Sequence, residues 1–191
     1  ELYRWFKVFF GFAYAPYANA ETITRCSIDW LNRNKSNSFF LWVHYMDLHD
    51  PYWMTLNAKF ERKYSRKVSG LSRIKIFDDA LNGKWSLKTI RDMINIYDDR
   101  LRYIDKCVEK LFYFLDSKKL IESTLIILAS DHGQEFLEHG CFGHHIARFY
   151  DEIIHVPLIL FGPSIERQIN RGLVSLLDIA PTILSFIGIS V

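Results

Sequence analysis

A carboxylate followed at once by an imidazole, Asp131-His132, stands where a short apolar run stops. One oxygen donor and one nitrogen donor from adjacent residues suit a divalent cation. The run before them, Thr124–Ala129, is apolar and β-branched and reads as a strand buried on both faces. Ser130-Asp131-His132-Gly133 then arrives at its C-terminal end, the end at which open α/β sheets bind ligands. Gly133 lets the backbone turn sharply, and His139, His144 and His145 follow in short order. Five of the seven histidines lie between His132 and His155, more imidazole than a connecting loop requires. A second apolar run, Phe39–Val43, also reads as a buried strand and also ends in polar chemistry: His44-Tyr45-Met46-Asp47-Leu48-His49-Asp50-Pro51-Tyr52.

The elements that must position these groups are legible on either side. Asn19 can cap a helix beginning at Ala20, with Glu21 favourable to the dipole in its first turn and Ile23, Cys26, Trp30 and Leu31 on one face. Leu87–Ser117 carries apolar residues at helical spacing, among them Ile90, Met93, Ile94, Tyr97, Leu101, Ile104, Val108 and Leu115. Asp98, Asp99 and Asp105 on that helix read as a solvated face and as partners for Arg100, Arg102 and Lys106. Phe149–Glu152 reads as a short helical turn, and Val156–Phe161 as a strand with Pro157 near its start, where a missing N–H is tolerable. Ser175 with Asp178 forms a capping-box pattern for a helix that accommodates Pro181 early and runs through Ile187. Apolar strands alternating with amphipathic helices predict an α/β fold with a largely parallel sheet.

Two stretches say less. Residues Glu1–Tyr17 are aromatic-rich without periodicity and are assigned no role. Between Trp53 and Ser86 the pattern dissolves into Lys59, Arg62, Lys63, Arg66, Lys67, Arg73 and Lys75 interleaved with aromatics. That segment is read as a lid or insertion: a cationic rim drawing in anionic substrates, or an ordinary solvated insertion.

The whole constellation resembles the sulfatases of the alkaline-phosphatase-like superfamily. Ser130-Asp131-His132-Gly133-Gln134-Glu135-Phe136, Glu138-His139-Gly140, Gly143-His144, Tyr150-Asp151-Glu152 and Val156-Pro157-Leu158-Ile159 are similar to the C-terminal signature of that family. The likeness extends upstream to Phe39–Tyr52 and downstream to Val174–Leu184. It implies a three-layer α/β sandwich and metal-dependent hydrolysis of sulfate esters. Asp131 and His132 occupy the positions of two metal ligands. His49 occupies that of a histidine contacting the sulfate ester, and the three residues are expected to share a cleft. His144 stands where the family often has a lysine bridging sulfate and nucleophile. An imidazole does that work only in the right protonation state, near its ordinary pKa of about 6.5. His139 and His145 read equally as site residues or as supports, and His44 and His155 as core or rim.

His132 stands where arylsulfatases usually carry Asn, a choice that with carboxylates suits calcium. The imidazole moves the preference toward manganese, zinc or iron. It also keeps open hydrolysis of phosphate or phosphonate esters on the same scaffold; a non-enzymatic domain binding anions or metal is the reading from another class. The family's nucleophile, a formylglycine made within Cys/Ser-x-Pro-x-Arg, has no counterpart at Cys26, Cys107 or Cys141, and the family's first metal pair is likewise unmatched before Phe39. The chain therefore reads as the C-terminal portion of a catalytic domain, carrying half a site and inactive alone.

Composition frames these expectations. The 191 residues, 49% of them hydrophobic, suit one domain with a proper core. A net charge of +2 gives no argument for nucleic acid as a partner. No apolar run reaches the roughly 18 residues that span a bilayer, and Phe6–Ala15, broken by Lys7 and Gly11, is followed by no signal-peptide cleavage pattern. Three cysteines at spacings that fit neither a disulfide framework nor a metal site favour reduced thiols and a cytoplasmic protein. Oligomeric state is not legible.

Overall fold

The computed structural model describes residues 17–49, 52, 75–76, 78–79, 82–144 and 147–190. His145, Asp50, Pro51, the segment 1–16 and most of the expected lid lie outside the described residues. The chain divides into two compact units, Glu1–Lys118 and Lys119–Val191.

In the first unit Asn19 caps helix α1, Ala20–Asn34, its side chain accepting the Thr22 N–H at 2.9 Å. Ser86 does the same for Thr89 at the start of helix α2, Leu87–Ser117, at 3.1 Å. Caps of this kind satisfy donors that the first turn leaves without intrahelical partners. The buried face of α1 is Ala20, Thr24, Ser27 and Leu31, with Cys26 exposed, so the stripe is rotated from the expected one. The cause is polar: Thr24 Oγ1 meets the Tyr45 hydroxyl at 2.8 Å, and Ser27 Oγ donates to the Ile23 carbonyl at 2.9 Å. Small hydroxyl side chains can thus face inward without stranding their oxygens. On α2 the buried stripe includes Met93, Ile96, Tyr103 and Cys107, while Ile94 and Leu101 are exposed. Asp99 and Arg100, expected on a solvated face, are buried as well. The expected Asp–Arg pairing is present, Arg102 Nη1 donating to Asp99 Oδ1 at 3.3 Å. Ala20, Tyr103 and Cys107 form the centre of the core, with Tyr45 and Ile104 packed against them. At the C-terminal edge of the expected lid, Ile76 and Asp79 are buried, and Asp79 accepts hydrogen bonds from Thr89 Oγ1 and Lys75 Nζ.

Residues 39–45 alternate regularly, 40, 42 and 44 exposed and 39, 41, 43 and 45 turned inward. The segment was expected as a buried strand; it has a strand's alternation with one wet face, and no ladder partner is described for it.

In the second unit β1, Ile126–Ala129, pairs antiparallel with β4, Leu158–Phe161, Ile126 facing Phe161 and Ala129 facing Leu158. Between them lie the two-residue strands β2, Glu135–Phe136, and β3, Phe142–Gly143, also antiparallel, and the helical turn α3, Asp151–Ile154. The ladders among the described residues are therefore antiparallel where the sequence suggests a largely parallel sheet. β1 is half-buried with Ala129 exposed, and in β4 Ile159 and Phe161 are exposed between half-buried neighbours. An antiparallel pair needs only one packed face, and alternation follows. Pro157 sits just before β4, where no ladder bond is lost. The Ser175 capping box forms as expected: Ser175 N–H donates to Asp178 Oδ2 at 2.7 Å and Leu177 N–H to Ser175 Oγ at 3.2 Å. It opens a 3-10 turn, Leu176–Asp178, that leads into helix α4, Ile179–Phe186. No helix among the described residues is long and apolar enough to cross a membrane.

Candidate functional site

The end of β1 is wound tightly by its own polar groups. Ser130 Oγ donates to the His132 carbonyl at 2.6 Å, and the His132 N–H donates to Asp131 Oδ1 at 3.0 Å. His132 Nδ1 lies 2.8 Å from the Gly133 carbonyl oxygen. A carbonyl only accepts, so Nδ1 carries the hydrogen, and in the neutral ring the lone pair is then on Nε2. That nitrogen lies 3.9 Å from Asp131 Oδ2. Two metal–donor bonds of about 2.1 Å each can bridge such a gap. Asp131 is three-quarters exposed, its side chain at 75%, so the carboxylate faces water rather than the core. No group of three or more His, Cys, Asp or Glu able to hold a metal occurs among the described residues. The donors present, one carboxylate oxygen and one imidazole nitrogen, fit a cation in kind.

The turn is pinned from below. Gly133 N–H donates to the Ile153 carbonyl at 2.7 Å and Gln134 N–H to the Glu152 carbonyl at 2.9 Å. A Cβ on Gly133 would stand 2.0 Å from that Glu152 oxygen. Gly133 was expected for a sharp turn; the demand is closeness of approach, and its φ lies outside the left-handed region.

His144 is brought to the same place: its ring stacks on that of His132 at 4.0 Å and 30°. His139 is spent elsewhere, its ring stacked on Tyr150 at 3.6 Å and its Nε2 3.2 Å from Glu152 Oε2. It therefore supports the turn's neighbours. His44 and His155 are exposed, so neither belongs to the core. Sequence reasoning missed Glu135 and Arg148. Glu135 has no solvent exposure and is gripped by both prongs of the Arg148 guanidinium. They stand 13 residues apart with no periodic relation, so only the unusual placement of a charge inside an aromatic hairpin hinted at a partner.

His49 lies in the first unit, whereas Asp131, His132 and His144 lie in the second. Its backbone N–H closes a turn onto the Met46 carbonyl at 3.1 Å, and its ring meets Tyr17 edge-on at 5.8 Å. Two residues earlier, burial pushes the Asp47 carboxyl above the ordinary carboxylate range, opposed by the Arg100 guanidinium and by the backbone N–H of Ala20. Burial also pushes the Tyr103 hydroxyl up to about 12 and raises the Cys107 thiol. A buried thiol held in its neutral form is a poor nucleophile.

A family model described as Sulfatase matches residues 3–189. The chain belongs to the sulfatase family. Arylsulfatase K of Bos taurus is 27% identical over 191 residues, covering 85% of this chain and 35% of the relative. A protein of Trinickia caryophylli named multifunctional alkaline phosphatase superfamily protein PehA is 32% identical over 102 residues, 52% of this chain and 20% of that protein. The sulfatase-family chain thus spans about a third or less of the length of these curated relatives. A Bacteroides fragilis crystal structure described as a sulfatase, yidJ, superposes with a TM-score of 0.69, covering 93% of this chain and 38% of that one at 24% identity. The fold is accordingly the alkaline-phosphatase-like α/β architecture expected from the motifs.

Proposed function

We propose that the full-length protein hydrolyses sulfate esters in a metal-dependent reaction, and that this chain supplies half of the centre. The observation that carries the reading is the fixed His132 tautomer, with Nε2 left to face Asp131 Oδ2 at 3.9 Å. Asp131 and His132 hold the cation, the Gly133 carbonyl keeping the imidazole aimed as outer partners of metal-bound histidines do. A divalent ion there would stabilise negative charge on the ester oxygens and on the departing alkoxide. His144, stacked against His132, and His49 hold ester oxygens or supply the leaving group's proton. The covalent nucleophile, a formylglycine by family resemblance, is expected outside this chain, so the chain alone hydrolyses neither sulfate nor phosphate esters and binds metal weakly. The imidazole at position 132 favours a second reading, in which the same scaffold cuts phosphate or phosphonate esters.

Nitrophenyl sulfate and nitrophenyl phosphate, assayed over about pH 5 to 9 to bracket imidazole titration, decide between them. The full-length protein with added Mn2+ or Ca2+ should turn over the sulfate. Asp131→Ala should remove roughly a hundredfold of that rate or more, since even an outer partner of a metal ligand is worth 10–100-fold. Preferential turnover of the phosphate would establish the second reading, and turnover of neither would leave a binding domain.

A further inference from the structure

Around the Asp131–Gly133 turn stands a second set of charged and aromatic side chains that contributes no metal ligand. Its centre is Glu135, a carboxylate with no solvent exposure. A carboxylate taken out of water persists only if its charge is matched and hydrogen-bonded. Arg148 does both: Nε lies 2.6 Å from Glu135 Oε2 and Nη2 2.9 Å from Oε1. Nη2 also donates to the His139 carbonyl at 3.1 Å, and the guanidinium lies 4.9 Å over the Tyr150 ring. His139 stacks on that ring and reaches Glu152 with Nε2. Glu152 and Ile153 supply the carbonyls that receive the Gln134 and Gly133 N–H groups. The contacts close a circuit. From the turn they pass to Glu152, through His139 and Tyr150 to Arg148, and through Glu135 back to Gln134.

We propose that Arg148 is a positioning residue for the metal-ligand pair. By gripping Glu135 and the His139 carbonyl it holds the hairpin 135–143 against residues 150–153, fixing the backbone from which His132 is aimed. The proposal rests on the reading of Asp131 and His132 as metal ligands. Stability alone does not call for such a pair. Buried ion pairs replaced by apolar or neutral groups of similar size are often as stable or more so. What the guanidinium adds is a planar fork that fixes direction as well as distance, which a lysine cannot reproduce.

The test uses the full-length protein carrying Glu135→Gln with Arg148→Met, which leaves no bare buried charge, and separately Arg148→Lys, which keeps the charge and loses the fork. Hydrogen exchange read by mass spectrometry follows the Gly133 and Gln134 amides, with the strand Ile126–Ala129 as internal control. Both variants should accelerate exchange in the turn by about tenfold or more while the control strand stays within about twofold, a local rather than global opening. Titration with Mn2+ alone should show a matching loss of affinity. Equal acceleration in turn and strand, or none in the turn, assigns the pair to general stability and overturns the proposal. So does a loosened turn with unchanged Mn2+ affinity. Mn2+ affinity unchanged by Asp131→Ala overturns instead the reading of that pair as ligands.

Discussion

The Asp131 turn and the His49 loop each follow an extended apolar segment, and they are secured by opposite means. Around Asp131 the buried charge is matched: Glu135 is neutralised by a bidentate guanidinium, and the turn's N–H groups go to two carbonyls. Around His49 it is not. Asp47 Oδ2 is buried without a hydrogen-bond partner among the described residues, and its carboxyl rests against the N-terminus of α1. There Asn19 takes the Thr22 N–H and the Tyr103 hydroxyl the Glu21 N–H, while the Ala20 N–H is left for Asp47. The helix dipole and Arg100 favour the anion, yet burial outweighs them and the carboxyl titrates high. One loop is locked by complementary charge; the other carries a group that the fold holds at a cost.

The largest expected effect breaks the first half of that contrast. Arg148→Met strands the Glu135 carboxylate at zero exposure and should destabilise the second unit by about 3–5 kcal/mol in urea unfolding. A loss below about 1 kcal/mol, the worth of an exposed pair, would mean that water reaches Glu135. Gly133→Ala is next, because its Cβ would sit 2.0 Å from the Glu152 oxygen. Forcing that backbone apart should cost about 1–3 kcal/mol, the range of overpacked sites, in the same measurement. The smallest effect carries the opposite sign and sharpens the second half. The Asp47 carboxyl titrates above its unfolded value. Its contribution to stability is therefore fully present below the ordinary carboxyl range and lost as pH rises through the folded pKa. Asp47→Asn should accordingly be a gain at neutral pH that shrinks toward about pH 4, near the unperturbed Asp value, in thermal melts at matched ionic strength. A loss at neutral pH would show that the Ala20 N–H and Arg100 outweigh burial.

Sequence alone determined whatever depends on a few neighbouring residues. The Asn19 cap, the bounds of the long helix at Leu87 and Ser117, the capping box at Ser175 and the polar turn at the end of β1 are of this kind. Each is a hydrogen bond across two or three positions, or an apolar period, and such signals are complete within their own stretch. Tertiary structure decided which charges go inside and which imidazoles meet. Asp99 and Arg100 read as surface residues and are buried; Glu135 found Arg148 across 13 residues, and Tyr103 reached Glu21 across 82. His132 and His144 were grouped by motif, but their stacking, and the diversion of His139 to Tyr150 and Glu152, appear only in the fold. Whether a polar side chain can leave water depends on the partner waiting for it, and that partner is set by how distant segments pack.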